Sequence, residues 1–309
     1  MIRRGRTLVA GSIVVTLIAA FVTGCGGDDA GSGSEDRPAL TIANKGFTES
    51  NIVTEAYKQA LEAKGFPVTL KSLASTEVAD AAIRKGDIDM YSEYTGTIVG
   101  AVLKADPAPS AVAEQVALIR EKYEPAGLTV LDAAPFNNDN EVACTQAAVD
   151  QNALTDLTSL AKGAPNLVYS ANPEHTTRPD GLPLLKKEYG IAFKSVIKVA
   201  IGLRYKPIED GKAQCVYAFG TDPQIAQNKL VVITDDKGQF QGSAFQGIPV
   251  VTTKYLDAAP ADFATTVNAV SAALTSDAVR TMNAAVDIDK EDPEVVAKAF
   301  LETKSLLAK

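Results

Sequence analysis

LTIANKGFTESNIVTEAYKQALEAKGFPVTLKSLASTEVADAAIRKGDIDMYSEYTGT, Leu40 to Thr97, alternates two hydrophobic periods. Leu40 to Ala43 is a short apolar run. Ser50 to Lys64 then places Ile52, Val53, Ala56, Tyr57, Ala60 and Leu61 at helical spacing, and Gly65 supplies a stop. Val68, Leu70 and Leu73 return to strand period. Thr76 to Lys85 sets Val78, Ala79, Ala82 and Ile83 on one face and ends at Gly86, and Ile88 to Tyr91 is strand-like again. Such βαβαβ alternation predicts an α/β domain with a largely parallel sheet. Ligands of these sheets sit beyond the carboxyl ends of the strands, which makes Asn44-Lys45-Gly46, Ser75-Thr76 and Tyr94-Thr95-Gly96-Thr97 the loops to watch.

A second series of the same kind runs from Glu141 to Phe219. Its strands are expected at Glu141–Thr145, Asn166–Ser170, Ser195–Ala200 and Cys215–Phe219, with helices near Leu154–Ala161 and Asp180–Tyr189. It reads as a second α/β domain inserted into the first. Strands near Leu230–Ile233 and Ile248–Val251 and helices at Ala258–Leu274, Asp277–Val286 and Pro293–Leu307 would complete the first. The expected boundaries are 39–138 plus 221–309 for one lobe and 139–220 for the other, joined by two crossing segments with a cleft between. Cys144 and Cys215 fall in apolar, strand-like stretches, so a disulfide between neighbouring strands is expected, two separate buried thiols being the alternative.

The N-terminus carries an address. Arg3, Arg4 and Arg6 precede the apolar run Leu8–Val22, which is short for a bilayer span and reads as a signal peptide over 1–24. Val22-Thr23-Gly24-Cys25 resembles a bacterial lipobox, which makes Cys25 the expected lipidated residue. The Gly/Ser/Asp-rich stretch that follows is expected to be a tether over 25–38. The protein is therefore expected to be exported and lipid-anchored at the outer face of the cytoplasmic membrane or in a periplasm.

Composition removes several function classes. Without the three leader arginines, 27 cationic side chains face 38 acidic ones, which argues against nucleic acid. Three cysteines and one histidine exclude multi-Cys/His zinc sites, and no Walker A, Gly-x-Gly-x-x-Gly or Gly-x-Ser-x-Gly pattern is present. His175 lies in the polar loop Asn172–Arg178 and reads as an exposed loop histidine. The acid pairs Asp87/Asp89 and Asp235/Asp236 read as solvated charge. No catalytic residue, metal or organic cofactor is expected.

Four segments occur in register: Asn44-Lys45-Gly46-Phe47-Thr48-Glu49; Asp87 through Thr97; Arg178-Pro179-Asp180-Gly181-Leu182 with Lys186-Lys187-Glu188-Tyr189-Gly190; and Ala218-Phe219-Gly220-Thr221-Asp222. Together they resemble the substrate-binding proteins of ABC importers for glycine betaine, choline, carnitine and related osmoprotectants, the ProX and OpuC-type group of the OpuAC family. The resemblance covers about Leu40 to Leu307. It implies a two-lobed periplasmic-binding-protein fold, type II-like, closing as a monomer on a small zwitterion or quaternary amine and delivering it to a membrane permease. It also implies an aromatic cage that includes Tyr94, with Lys45, Thr97 and Arg178 as donors to a solute carboxylate. The chain departs from the family at three places. Asn140 stands where a cage tyrosine is usual, Phe219-Gly220-Thr221-Asp222 replaces Tyr-Ser-Thr-Asp, and Phe245, beside Ser243, substitutes for the tyrosine of a missing Pro-Pro-Tyr. These departures leave open another small polar or aromatic solute on the same scaffold, or, less favoured, an exported enzyme.

Overall fold

The computed structural model describes residues 37–106, 108–240 and 244–307. The signal peptide, Cys25, the tether through Asp36, and Ser243 lie outside the described residues. The last two residues assigned to the tether are held in place. Arg37 forms a two-pronged pair with Asp262 at 2.8 and 2.7 Å and lies 4.5 Å from the Phe66 ring centroid, and Pro38 O accepts from Tyr255 Oη at 2.9 Å.

The first sheet contains β1 (Leu40–Asn44), β2 (Val68–Ser72), β3 (Met90–Tyr94), β4 (Leu128–Val130) and β10 (Gly247–Thr252), in the order β2-β1-β3-β10-β4. The second contains β5 (Asn140–Thr145), β6 (Val168–Ala171), β7 (Ser195–Lys198), β8 (Cys215–Phe219) and β9 (Leu230–Val232), in the order β7-β6-β8-β5-β9. The two orders correspond position by position. In each sheet one strand is antiparallel to both of its neighbours: β10 between β3 and β4, and β5 between β8 and β9. Each of these is the strand the chain enters on leaving a crossing segment. The two crossings run side by side, with an antiparallel bridge from Asn137 to Gln246 and the Asn138 N–H donating to Phe245 O at 3.0 Å.

The helical face read for the first helix is the buried one, whereas in the second Val78, read on the apolar face with Ala79, Ala82 and Ile83, is 45% exposed. In α1 (Thr48–Ala63), Ile52, Val53, Ala56, Tyr57, Ala60 and Leu61 enter a core with Leu40, Ile42 and Met90 of the sheet and Phe263, Val267 and Phe300 of the C-terminal helices. On the sheet's other side, Ala79, Ala82 and Ile83 of α2 (Thr76–Lys85) pack with Tyr91, Ile98 and Val250. Ser75 caps α2 by accepting from Val78 N at 3.3 Å, the side-chain oxygen taking one of the four N–H groups a helix start leaves free.

Several expectations shift. β3 begins at Met90 rather than Ile88, because Asp89 makes a local clasp in which its N–H donates to Thr41 O at 2.9 Å and its carboxylate accepts from Thr41 N at 2.8 Å. The helix expected from Asp180 begins at Leu182, since the Asp180 carboxylate is spent on Arg178. The helix Val112–Tyr123 and strand β4 were not anticipated. The return to the first lobe at 221 is also corrected. β9 pairs with β5, and Ile233 and Phe240 belong to the second lobe's core, so the second crossing follows Phe240.

His175 is not exposed: it is 2% accessible, stacks on Tyr217 with ring centroids 3.7 Å apart, and places Nε2 3.2 Å from Tyr169 Oη. Burial, with the nearby Arg178 charge, pushes its pKa well below the usual histidine value and keeps the ring neutral. The polar residues around it suggested a surface loop, but the loop folds inward over two aromatic rings. Cys144 and Cys215 are register partners on β5 and β8 and form a disulfide.

Candidate ligand-binding cleft

Every strand whose end faces the crossing contributes to one place. Lys45 follows β1, Thr76 opens α2 after β2, Tyr94 ends β3, Asn172 follows β6, and Phe219 ends β8. These residues converge because the carboxyl ends of both sheets face each other across the crossing segments. The result is a small cavity of about 30 Å³ lined by Lys45, Tyr94, Thr97, Asn140, Arg178, Phe219 and Phe245, the seven residues singled out from the sequence. Phe47, Tyr217, Asn138, Asn172 and Glu174 also line it and were not singled out. Tyr217 had a readable signal, since it stands two residues before Phe219 and shares its face of β8. Phe47 sat inside a recognised motif but was not assigned a role.

One half of the cavity is aromatic. Phe47 and Phe219 approach from opposite lobes with ring centroids 6.0 Å apart, and Tyr217 meets Phe219 edge-on at 4.9 Å. Asn140 does more than fill the place of a ring, since its Oδ1 accepts from Tyr217 Oη at 2.5 Å and so fixes that tyrosine against the cavity. The outer face of Phe219 is covered by Arg204, whose Cζ is 4.6 Å from the ring centroid.

Tyr94 is held from behind. Its hydroxyl donates to Glu49 Oε1 at 2.5 Å, and the same carboxylate accepts from Asn138 Nδ2 at 2.7 Å, Thr221 Oγ1 at 2.5 Å and Asn283 Nδ2 at 3.1 Å. These donors come from β3, a crossing segment, the end of β8 and a C-terminal helix, so Glu49 ties both lobes and the crossing at one point. Burial raises the Glu49 pKa, while the hydrogen bonds from Thr221, Tyr94 and Asn283 act in the opposite direction.

The other half is polar, and its cations come paired. Lys45 forms an ion pair with the fully buried Glu93, which also accepts from Thr76 Oγ1 at 2.9 Å and Tyr94 N at 3.0 Å. Arg178 directs Nε to Asp180 Oδ1 at 2.8 Å and Nη2 to the same carboxylate, leaving Nη1 3.9 Å from Glu174. The expectation that both serve as donors to a solute therefore needs adjustment. Much of each charge offsets a local acid, as burial demands, and the directions left for a solute are Arg178 Nη1 and the Thr97 hydroxyl. Thr97 makes no side-chain cap to the turn that follows it.

The cleft is closed. Thr76 N, in the first turn of α2, donates across it to Glu174 Oε1 at 3.1 Å. At Gly100 an added Cβ would lie 3.1 Å from the Asp180 Cβ of the opposite lobe. Gly100→Val is expected to prop the lobes apart and lower solute affinity by about tenfold, because the binding-competent closed state becomes a small fraction of the population. Small-angle scattering should then show little solute-induced compaction in the variant.

Two α/β lobes of matching strand order, two crossing segments and an aromatic-and-polar cavity between them define a solute-binding protein of the bilobal type. A family model for the substrate-binding domain of ABC-type glycine betaine transport systems matches residues 38–303, and the chain belongs to that family. It is a binding protein and not an enzyme. It is 28% identical over 303 residues to a glycine-betaine-binding protein of Pseudomonas aeruginosa, covering 94% of this chain and 96% of that one. It is 29% identical over 275 residues to the ergothioneine transport permease/ergothioneine binding protein EgtU of Helicobacter pylori, covering 88% of this chain but only 48% of that protein. The carnitine transport binding protein OpuCC of Listeria monocytogenes is 25% identical over 297 residues, with 94% of each covered. Among solved structures, that of a glycine betaine/carnitine/choline ABC transporter superposes with a TM-score of 0.66 at 25% identity, covering 87% of this chain and 99% of that one.

Proposed function

We propose that the cleft captures a trimethylammonium solute bearing a polar tail and hands it to an ABC permease outside the cytoplasm. The observation that carries this reading is the arrangement of Phe47, Tyr94, Tyr217, Phe219 and Phe245 around one cavity that Arg178 and Thr97 also line. A trimethylammonium group has no donor to offer, so aromatic faces are its natural partners, each contributing about 0.5 to 2 kcal/mol. Glycine betaine, carnitine and ergothioneine, the solutes named in the three relatives, all carry that group together with a carboxylate. The lipid anchor at Cys25 and a monomeric state belong to the same reading. Among the described residues no helix is long and apolar enough to cross a membrane. Calorimetric titration with glycine betaine, choline, carnitine and ergothioneine tests the proposal. Saturable one-to-one binding of at least one is expected, and silence for all four would refute it.

Closure should depend on pH. Burial and a hydrogen bond with Glu77 push the Glu174 carboxyl up to about 7, against the pull of Arg178 and Lys45. Glu77 and the Thr76 N–H belong to the first lobe and Glu174 to the second, so opening returns Glu174 to water and toward the ordinary value near 4.5. The closed form thus holds a proton that the open form lacks between about pH 4.5 and 7. Closure is therefore strongest below that window, weakens as pH rises through it, and levels off above it. Solute affinity is expected to fall by about tenfold from pH 5 to 8. Glu174→Gln, which keeps the shape and an acceptor for Thr76 N, should flatten the profile.

A further inference from the structure

Three asparagines line the cavity, and their side-chain oxygens have different fates. Asn138 Oδ1 lies 2.9 Å from Thr221 Oγ1, whose one proton it shares with Glu49, and Asn140 Oδ1 accepts from Tyr217 Oη at 2.5 Å. Asn172 Oδ1 is buried and has no hydrogen-bond partner among the described residues, although the residue is only 6% exposed and lines both the cavity and the outer cleft beside it. Its place in the fold is not incidental. Asn172 directly follows β6, as Lys45 directly follows β1, and β6 and β1 hold the same position in their sheets. A carbonyl oxygen kept from water and left unpaired is costly, and the cost disappears when a ligand brings the missing donor.

We infer that Asn172 is a specificity-determining residue, selecting quaternary ammonium solutes that carry a hydrogen-bond donor, such as a hydroxyl or a ring N–H, over those that carry none. The inference rests on the quaternary ammonium reading above and goes beyond it. Glycine betaine has three methyl groups on nitrogen, a methylene and a carboxylate, so it can satisfy Arg178 and Thr97 but leaves Asn172 Oδ1 bare. A hydroxylated or imidazole-bearing solute can satisfy all three. Sites built to receive a substrate hydroxyl reject analogues lacking it far more strongly than apolar pockets reject a missing methylene, because the protein group is left unpaired.

The test uses a matched pair, carnitine and its deoxy analogue 4-(trimethylammonio)butanoate, which share charge and length and differ in one hydroxyl. Calorimetry on the purified chain is expected to show carnitine binding at least about tenfold more tightly. In Asn172→Leu, which removes the unpaired oxygen, the preference should collapse, the two compounds binding within about twofold of each other. Asn172→Asp, which retains an acceptor, should keep the preference, and Asn172→Ala serves if the leucine variant does not fold. Equal binding of the two compounds by the wild-type chain, or a preference that survives in both Asn172→Leu and Asn172→Ala, overturns the role of Asn172 while leaving the trimethylammonium reading intact. Failure of both compounds, glycine betaine and ergothioneine to bind at all overturns both.

Discussion

Tyr94→Ala is expected to reduce affinity for a trimethylammonium solute by about 100-fold, roughly 2.7 kcal/mol. Two losses combine. The ring face is one wall of the cage, and the hydroxyl is one of four donors that hold Glu49 between the lobes. Without it the buried carboxylate is short of a partner, so the closed form loses part of the tie across the crossing, at a cost of about 1 to 3 kcal/mol. Tyr94→Phe separates the two effects. It keeps the ring, so the direct attraction for the cation should survive, while the thermal midpoint drops because Glu49 Oε1 keeps only Asn138. Titration calorimetry and thermal unfolding on both variants give the two quantities. If Tyr94→Phe binds as poorly as Tyr94→Ala, the ring is not the part of Tyr94 that the solute sees.

Removing the disulfide should have the largest effect on stability. Cys144 and Cys215 are 71 residues apart in sequence, and closing a loop of that length removes conformational entropy from the unfolded chain worth about 4 kcal/mol. The bond closes the end of a five-pair register between β5 and β8, both sulfur-bearing residues are fully buried, and neither lines the cavity. The double variant Cys144→Ala/Cys215→Ala is therefore expected to lose about 4 kcal/mol in a urea titration while its solute affinity stays within about threefold of the parent. A loss below about 1 kcal/mol would mean that the β5–β8 ladder and its packing already restrict the reduced chain.

How much could be read in advance depended on whether the controlling interaction was local. The helical face of α1 and the stop of α2 at Gly86 are local, and each appeared where its residues indicated. The pairing of β9 with β5 and the late second crossing depend on strands far apart in the chain, and no periodicity records such a choice. Placement of the seven candidate residues in one cavity agrees with the family resemblance that implied them. What those residues touch did not follow. Lys45 reads as a free donor until Glu93 is seen beneath it, and Arg178 likewise until Asp180 closes on its guanidinium. His175 failed for a related reason, since a polar neighbourhood in sequence says nothing about two tyrosine rings brought over it in space.

The sequence by itself determined an α/β chain of two alternating series, the loops at the strand ends, and the cysteine pair in strand-like stretches. Those features arise from hydrophobic period, turn chemistry and side-chain class, all carried by neighbouring residues. Only the tertiary structure decided which acids neutralise the two cations, that Glu49 joins both lobes behind Tyr94, and that Asn172 alone among the three cavity asparagines keeps an unspent acceptor. Buried charge and buried hydrogen-bonding capacity must be matched within a few ångströms, and the partners are chosen by the packing of segments that the chain separates by tens to hundreds of residues.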